Sequence, residues 1–143
     1  MARYDHLPIY RAAFDLTVHI EKIVRQFSRY HKYTLGTELR ACSRNALRRI
    51  ITANSQHGVA RKETLLCLRQ ELEWFNVLTR LCHESDAFTT TKAYVYVSEQ
   101  IVNLAKQNEG WLKAKPHAAA APKPPSDTND SGTEPELPFC LTE

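Results

Sequence analysis

Across residues 1–112 the chain carries three glycines and a single proline. So few breakers over so long a stretch argue for helices joined by few turns. The apolar spacing agrees. Ile9, Ala13, Leu16, Ile20, Ile23 and Phe27 follow one another in steps of four and three. The same steps run through Leu35, Leu39, Cys42, Ala46, Ile50 and Ala53, through Leu65, Leu68, Leu72, Phe75, Thr79 and Cys82, and through Tyr94, Val97, Ile101, Leu104, Asn108 and Trp111. Each set lines one face of a helix of 3.6 residues per turn. Alternation of the β type is confined to "AYVYV", which also fits the fourth stripe.

The segments between the stripes are short. "SRYHKYT" offers Thr34 as an N-cap, "QHGVARK" offers Gly58 as a C-terminal cap, and "ESDAFTTT" offers Thr89 or Thr90 as an N-cap. Connections of this length join antiparallel neighbours. The expectation is an all-α protein, an antiparallel up-down-up-down four-helix bundle over residues 1–112. From Lys113 the composition turns to Ala, Pro, Ser and acids, in "KAKPHAAAAPKPPSDTNDSGTEPELP". Such a segment buries too little apolar surface to offset its ordering entropy, so residues 113–143 read as a disordered C-terminal tail. Its end, "LPFCLTE", reads as a greasy terminus rather than a docking motif.

Cys42, Cys67 and Cys82 fall inside the apolar patterns and read as small buried thiols, consistent with a reducing compartment. Cys140, in "CLTE", does not fit a prenylation box. No cysteine pair forms C-x-x-C, and adjacent Cys82 and His83 diverge on a helix, so no metal is expected. "MARYDHLPIYRAAFDL" lacks the apolar block of a secretory signal, and no stretch is long enough to span a membrane. The expected location is cytoplasmic. Neither a phosphate-binding glycine loop, nor H-E-x-x-H, nor G-x-S-x-G is present, so no enzyme and no cofactor are expected.

Net charge is unevenly spread. Residues 113–143 hold three Lys against five acids, a net −2, and residues 1–112 hold 16 Lys or Arg against 11 acids, a net +5. The most basic segment is "LRACSRNALRRIITANSQHGVARK", Leu39 to Lys62, with six cations and no Asp or Glu. Arg40, Arg44 and Arg48 succeed one another by four and form a ridge away from the core. Arg49 lies nearer the core flank, and Arg61 and Lys62 extend the patch into the next segment. Like charges at this spacing repel, and an anionic partner is the simplest reason to tolerate them. Nucleic acid, an acidic protein and an ordinary solvated face all remain open from the patch alone. Arg is nonetheless well suited to phosphate. A second set of apolar residues faces away from the core: Phe14 and Val18 on the first helix, Leu47 and Ile51 on the second, and Leu66, Trp74, Val77 and Leu81 on the third. These predict a subunit interface built on the first and third helices.

"LPIYRAAFDLTVHIEKIVRQFSRYHKYTLGTELR", Leu7 to Arg40, resembles the first helical hairpin of the accessory variability determinant (Avd) proteins of diversity-generating retroelements. "KYTLG" at Lys32–Gly36 is the most specific piece, and "GWLK" at Gly110–Lys113 is similar to that family's end of the fourth helix. The likeness spans about residues 4–113. It extends to the four-helix proteins encoded in intervening sequences of bacterial large-subunit rRNA genes. It implies a four-helix bundle that assembles into a basic, barrel-like homopentamer and binds the element's reverse transcriptase together with template RNA or an RNA–DNA hybrid. It implies a role in mutagenic retrohoming, in which template RNA is copied into cDNA with errors at adenines while the polymerase does the chemistry. No binding residue is transferred by the resemblance. Tyr33 and Gly36 of "YTLG" read as structural, and the cations are chosen from charge geometry. The competing reading is a structural helical oligomer or adaptor with no nucleic-acid role.

Overall fold

The structure, a computed structural model, describes residues 4–114. Four long helices form: α1 (Pro8–Arg25), α3 (Leu35–Asn54), α4 (Gly58–Glu84) and α5 (Thr91–Lys113), with a single helical turn, α2 (Arg29–Lys32), inside the first connection. No strand occurs among the described residues. α3 packs on α1 and α4, and α5 packs on α4 and α1. Successive long helices are therefore neighbours around a square, the up-down-up-down arrangement expected from short connections. α1 and α4 occupy diagonal corners. The tail reading concerns residues that, beyond 114, lie outside the described ones.

Local chemistry explains the ends. Pro8 opens α1, where its missing N–H is no loss and its fixed φ suits the first turn. Ser28 accepts a hydrogen bond from the His31 N–H and so caps α2. Thr90 Oγ1 accepts from the Ala93 N–H at 3.1 Å, the cap expected for α5. Two other cap readings are corrected. Thr34 precedes α3, but its hydroxyl donates back to the Tyr30 carbonyl at 2.7 Å, tying α3 to α2 rather than capping it. Gly58 does adopt a left-handed φ of +59°, but as the first residue of α4; α3 has already ended at Asn54.

The core contains Leu16, Ile20, Leu39, Ile50, Leu65, Leu68, Phe75, Val97, Ile101 and Leu104, all nearly inaccessible. The stripe departs from the sequence reading by one residue at three places: Val24 is buried where Ile23 was expected, Gly36 where Leu35 was, and Ser43 where Cys42 was. At about 100° per residue, a step of four from Ile20 or Leu39 lands about 40° off the previous core position and a step of three about 60°, so Val24 and Ser43 lie closer to the buried face than Ile23 and Cys42. Two buried polar side chains find partners within the bundle. Thr79 Oγ1 donates to the Phe75 carbonyl at 2.8 Å, and Asn108 Nδ2 donates to the Leu65 carbonyl at 3.1 Å, fastening α5 to α4. Cys42 and Cys82 are free thiols, and burial pushes them up to about 11 and about 12. Cys67 is buried as well, within α4. No helix among the described residues is long and apolar enough to cross a membrane.

Candidate nucleic-acid and subunit interfaces

α3 lies between α1 and α4, so its two flanks meet different neighbours. Arg40 Nε donates to Glu21 Oε2 of α1 at 2.8 Å, and Arg44 Nη2 donates to the other oxygen of the same carboxylate. On the opposite flank Arg49 Nε donates to Glu71 Oε1 of α4 at 3.1 Å, in a less exposed setting. The segment is acid-free along the chain but not in space, because adjoining helices supply the carboxylates. The shared Glu21 bridge remains about a third exposed, so each of its pairs contributes at most about 1 kcal/mol. Arg48 points outward and forms no ion pair among the described residues.

Arg61 is held inside the fold. Its Nε donates to the Ala53 carbonyl at 2.9 Å, its Nη2 to that of Asn54 at 3.4 Å, and its guanidinium sits 5.4 Å from the centre of the Trp111 ring. It closes the C-terminus of α3, where a cation offsets the helix dipole, and covers an aromatic ring of α5. Lys62 is exposed and followed by Glu63. The six candidate cations thus separate: Arg48 and Lys62 are unpaired among the described residues, Arg40 and Arg44 share one acid, Arg49 is paired singly, and Arg61 is a helix cap.

Beyond this ridge, Glu21, Val24, Arg25, Lys32 and Arg40 line a hollow of about 240 Å³ between α1, α2 and the start of α3. Arg25, Arg29 and Lys32 form no ion pair among the described residues. The sequence carries the same kind of signal here: Lys22 to Thr37 holds four Lys or Arg and no acid. Half of this stretch falls in and around a connection, so its cations form no helical ridge.

The apolar candidates also separate. Phe14 and Val18 on α1 and Trp74, Val77 and Leu81 on α4 are exposed, Trp74 by 52% and Val77 by 56%. Leu66, Leu47 and Ile51 are half-buried, and Leu47 packs against the core. Since α1 and α4 stand at diagonal corners, their exposed faces do not merge into one patch. The structure adds Val95, Tyr96 and Val102 of α5 to the exposed apolar set. Between α4 and α5, Arg69 grips Glu109 with two hydrogen bonds at 2.6 and 2.9 Å; the Arg69 bond holds the Glu109 carboxyl below its usual range. No group of three His, Cys, Asp or Glu among the described residues is placed to hold a metal ion.

Comparison with known proteins adds one positive finding: a family model described as bAvd-like matches residues 10–115. No curated protein and no solved structure matches the chain.

Proposed function

The chain belongs to the bAvd-like family, and on that premise we propose that it is a non-enzymatic accessory subunit of a diversity-generating retroelement. It binds the element's reverse transcriptase and its template RNA or RNA–DNA hybrid, and so supports mutagenic retrohoming. The observation that carries this reading is the family match over residues 10–115, almost the whole of the bundle. The outward Arg48, with Arg44 beside it, supports a phosphate-facing surface on α3. Assembly follows from the exposed faces of α1 and α4. Two different apolar faces at diagonal corners cannot both be covered by one isologous contact; a head-to-tail contact covers both and closes into a ring when the rotation permits. The proposed ring is a homopentamer.

One observation favours the competing adaptor reading: Arg40, Arg44 and Arg49 already have carboxylate partners within the chain. Co-purification with the reverse transcriptase encoded beside this gene, with and without nuclease, separates the two. An accessory subunit retains polymerase and releases RNA on nuclease treatment, whereas an adaptor retains neither. Binding to RNA is expected to weaken steeply with salt, because each phosphate contact releases counterion. Arg44→Gln with Arg48→Gln is expected to lower both the affinity and the salt slope while leaving the helical spectrum intact.

A further inference from the structure

Tyr30 and Tyr33, at the α2 end of the bundle, are 76% and 71% exposed. Neither ring contributes to the core. Tyr30 has only an edge contact with the neighbouring His31 ring, 5.2 Å between centroids. Two large aromatic faces open to water on one short turn have no folding role to explain them.

The turn that carries them is nevertheless well anchored. Ser28 caps its start, Thr34 Oγ1 donates to the Tyr30 carbonyl, and Thr37 Oγ1 donates to the Lys32 carbonyl at 3.4 Å. The His31 carbonyl lies so close to Gly36 that a Cβ there would stand 3.0 Å away. The backbone beneath the rings is therefore held before any partner arrives. Cations surround it. Arg29 and Lys32 belong to the turn, Arg25 closes α1, and Arg25, Lys32 and Arg40 line the hollow beside it. The one acid in that hollow, Glu21, is already held by Arg40 and Arg44.

Alternating cations and exposed aromatic rings are what single-stranded nucleic acid requires: a π-face for each unpaired base and a positive charge for each phosphate. A duplex offers no such bases, because its stack covers their faces. We propose that the α2 end is a platform for single-stranded nucleic acid, with Tyr30 and Tyr33 stacking unpaired bases and Arg25, Arg29 and Lys32 holding the adjoining phosphates. This rests on the nucleic-acid part of the proposed function, but places contacts away from the α3 ridge and adds a preference for strand over duplex.

The test uses the full chain, a labelled single-stranded 15-mer RNA of mixed sequence and its matched duplex, with affinity read by fluorescence anisotropy over a range of salt. Tyr30→Ala with Tyr33→Ala should lose roughly tenfold or more in single-strand affinity, with the salt slope unchanged, since no phosphate contact is removed. Duplex affinity should not change. Tyr30→Phe with Tyr33→Phe should keep the affinity, because the ring face remains and only the hydroxyl is lost. Arg25→Gln with Lys32→Gln should lower affinity and flatten the salt slope by roughly 0.7 per lost contact. Wild-type single-strand affinity in the double alanine variant, or an equal loss for strand and duplex, overturns the platform and leaves the proposed function standing. Unchanged RNA affinity with lost polymerase capture also overturns it and assigns the rings to a protein surface. If the wild type binds no nucleic acid at all, the platform and the nucleic-acid part of the proposed function fall together.

Discussion

Gly36→Ala is expected to destabilise this protein although alanine is the better helix former. Gly36 sits in the first turn of α3 and is buried. A Cβ at that position would stand 2.7 Å from Val24 Cγ1, 3.0 Å from the His31 carbonyl oxygen and 3.3 Å from Phe27 Cδ2. Val24 is β-branched, 2% exposed and in the last turns of α1, so it has little rotamer freedom with which to withdraw. The His31 oxygen is backbone, and moving it means moving α2. Helix propensity contributes at most about 1 kcal/mol in favour of alanine, and less in a first turn. Overpacking of this kind costs about 1–3 kcal/mol, and here towards the upper end, because two of the three neighbours cannot swing aside. The expected net loss is about 1–2 kcal/mol, or roughly 5–10 °C in melting temperature. Gly110 supplies the control: nothing lies within 4 Å of its Cβ position, so Gly110→Ala should stabilise by about 0.5–1 kcal/mol. Urea unfolding followed by circular dichroism, at one fixed protein concentration because assembly adds mass action, reads both. If Gly36→Ala is as stable as the wild type, the α1–α3 approach is looser than these distances require and the steric reasoning is wrong.

Gly58→Ala introduces no clash but must adopt the φ of +59°, and is expected to lose about 1–2 kcal/mol in the same assay. Glu21→Gln releases Arg40 and Arg44 from their shared carboxylate; it should raise RNA affinity and steepen its salt dependence, at a stability loss of no more than about 2 kcal/mol for the two exposed pairs together. Trp74→Asp with Val77→Asp places charge on the exposed face of α4, and light scattering should show the mass falling from about five chains towards one, an uncompensated charge at a buried contact costing roughly 3–5 kcal/mol. The Cys42 and Cys82 thiols hold their protons more tightly folded than unfolded, with folded values of about 11 and 12 against an ordinary 9.0. The native state therefore keeps the extra protons, so this contribution is complete below about pH 9 and is lost as pH rises from there through 11 to 12. The urea midpoint should fall between pH 8 and pH 10.5, and fall less in the Cys42→Ala, Cys82→Ala double variant.

The four long helices and most of the faces they bury were legible in the chain, because periodicity and the scarcity of breakers are local properties. The same holds for the Thr90 cap, whose hydroxyl reaches an N–H three residues on. What depended on two helices meeting was not legible. Glu21 lies 19 and 23 residues before the two arginines it bridges, and Glu71 lies 22 after Arg49. Those separations become short distances only once the rotation and register of α1, α3 and α4 are set. Arg61 read as part of a basic patch, but its place beneath the carbonyl end of α3 and over Trp111 of α5 required three helices to converge. Gly36 could be read as structural from its motif, yet only the packed bundle places Val24 and the His31 carbonyl where a side chain would go. An amphipathic stripe encodes which side of a helix turns inward. Which charge, ring or carbonyl waits on the neighbouring helix is decided by how the helices pack.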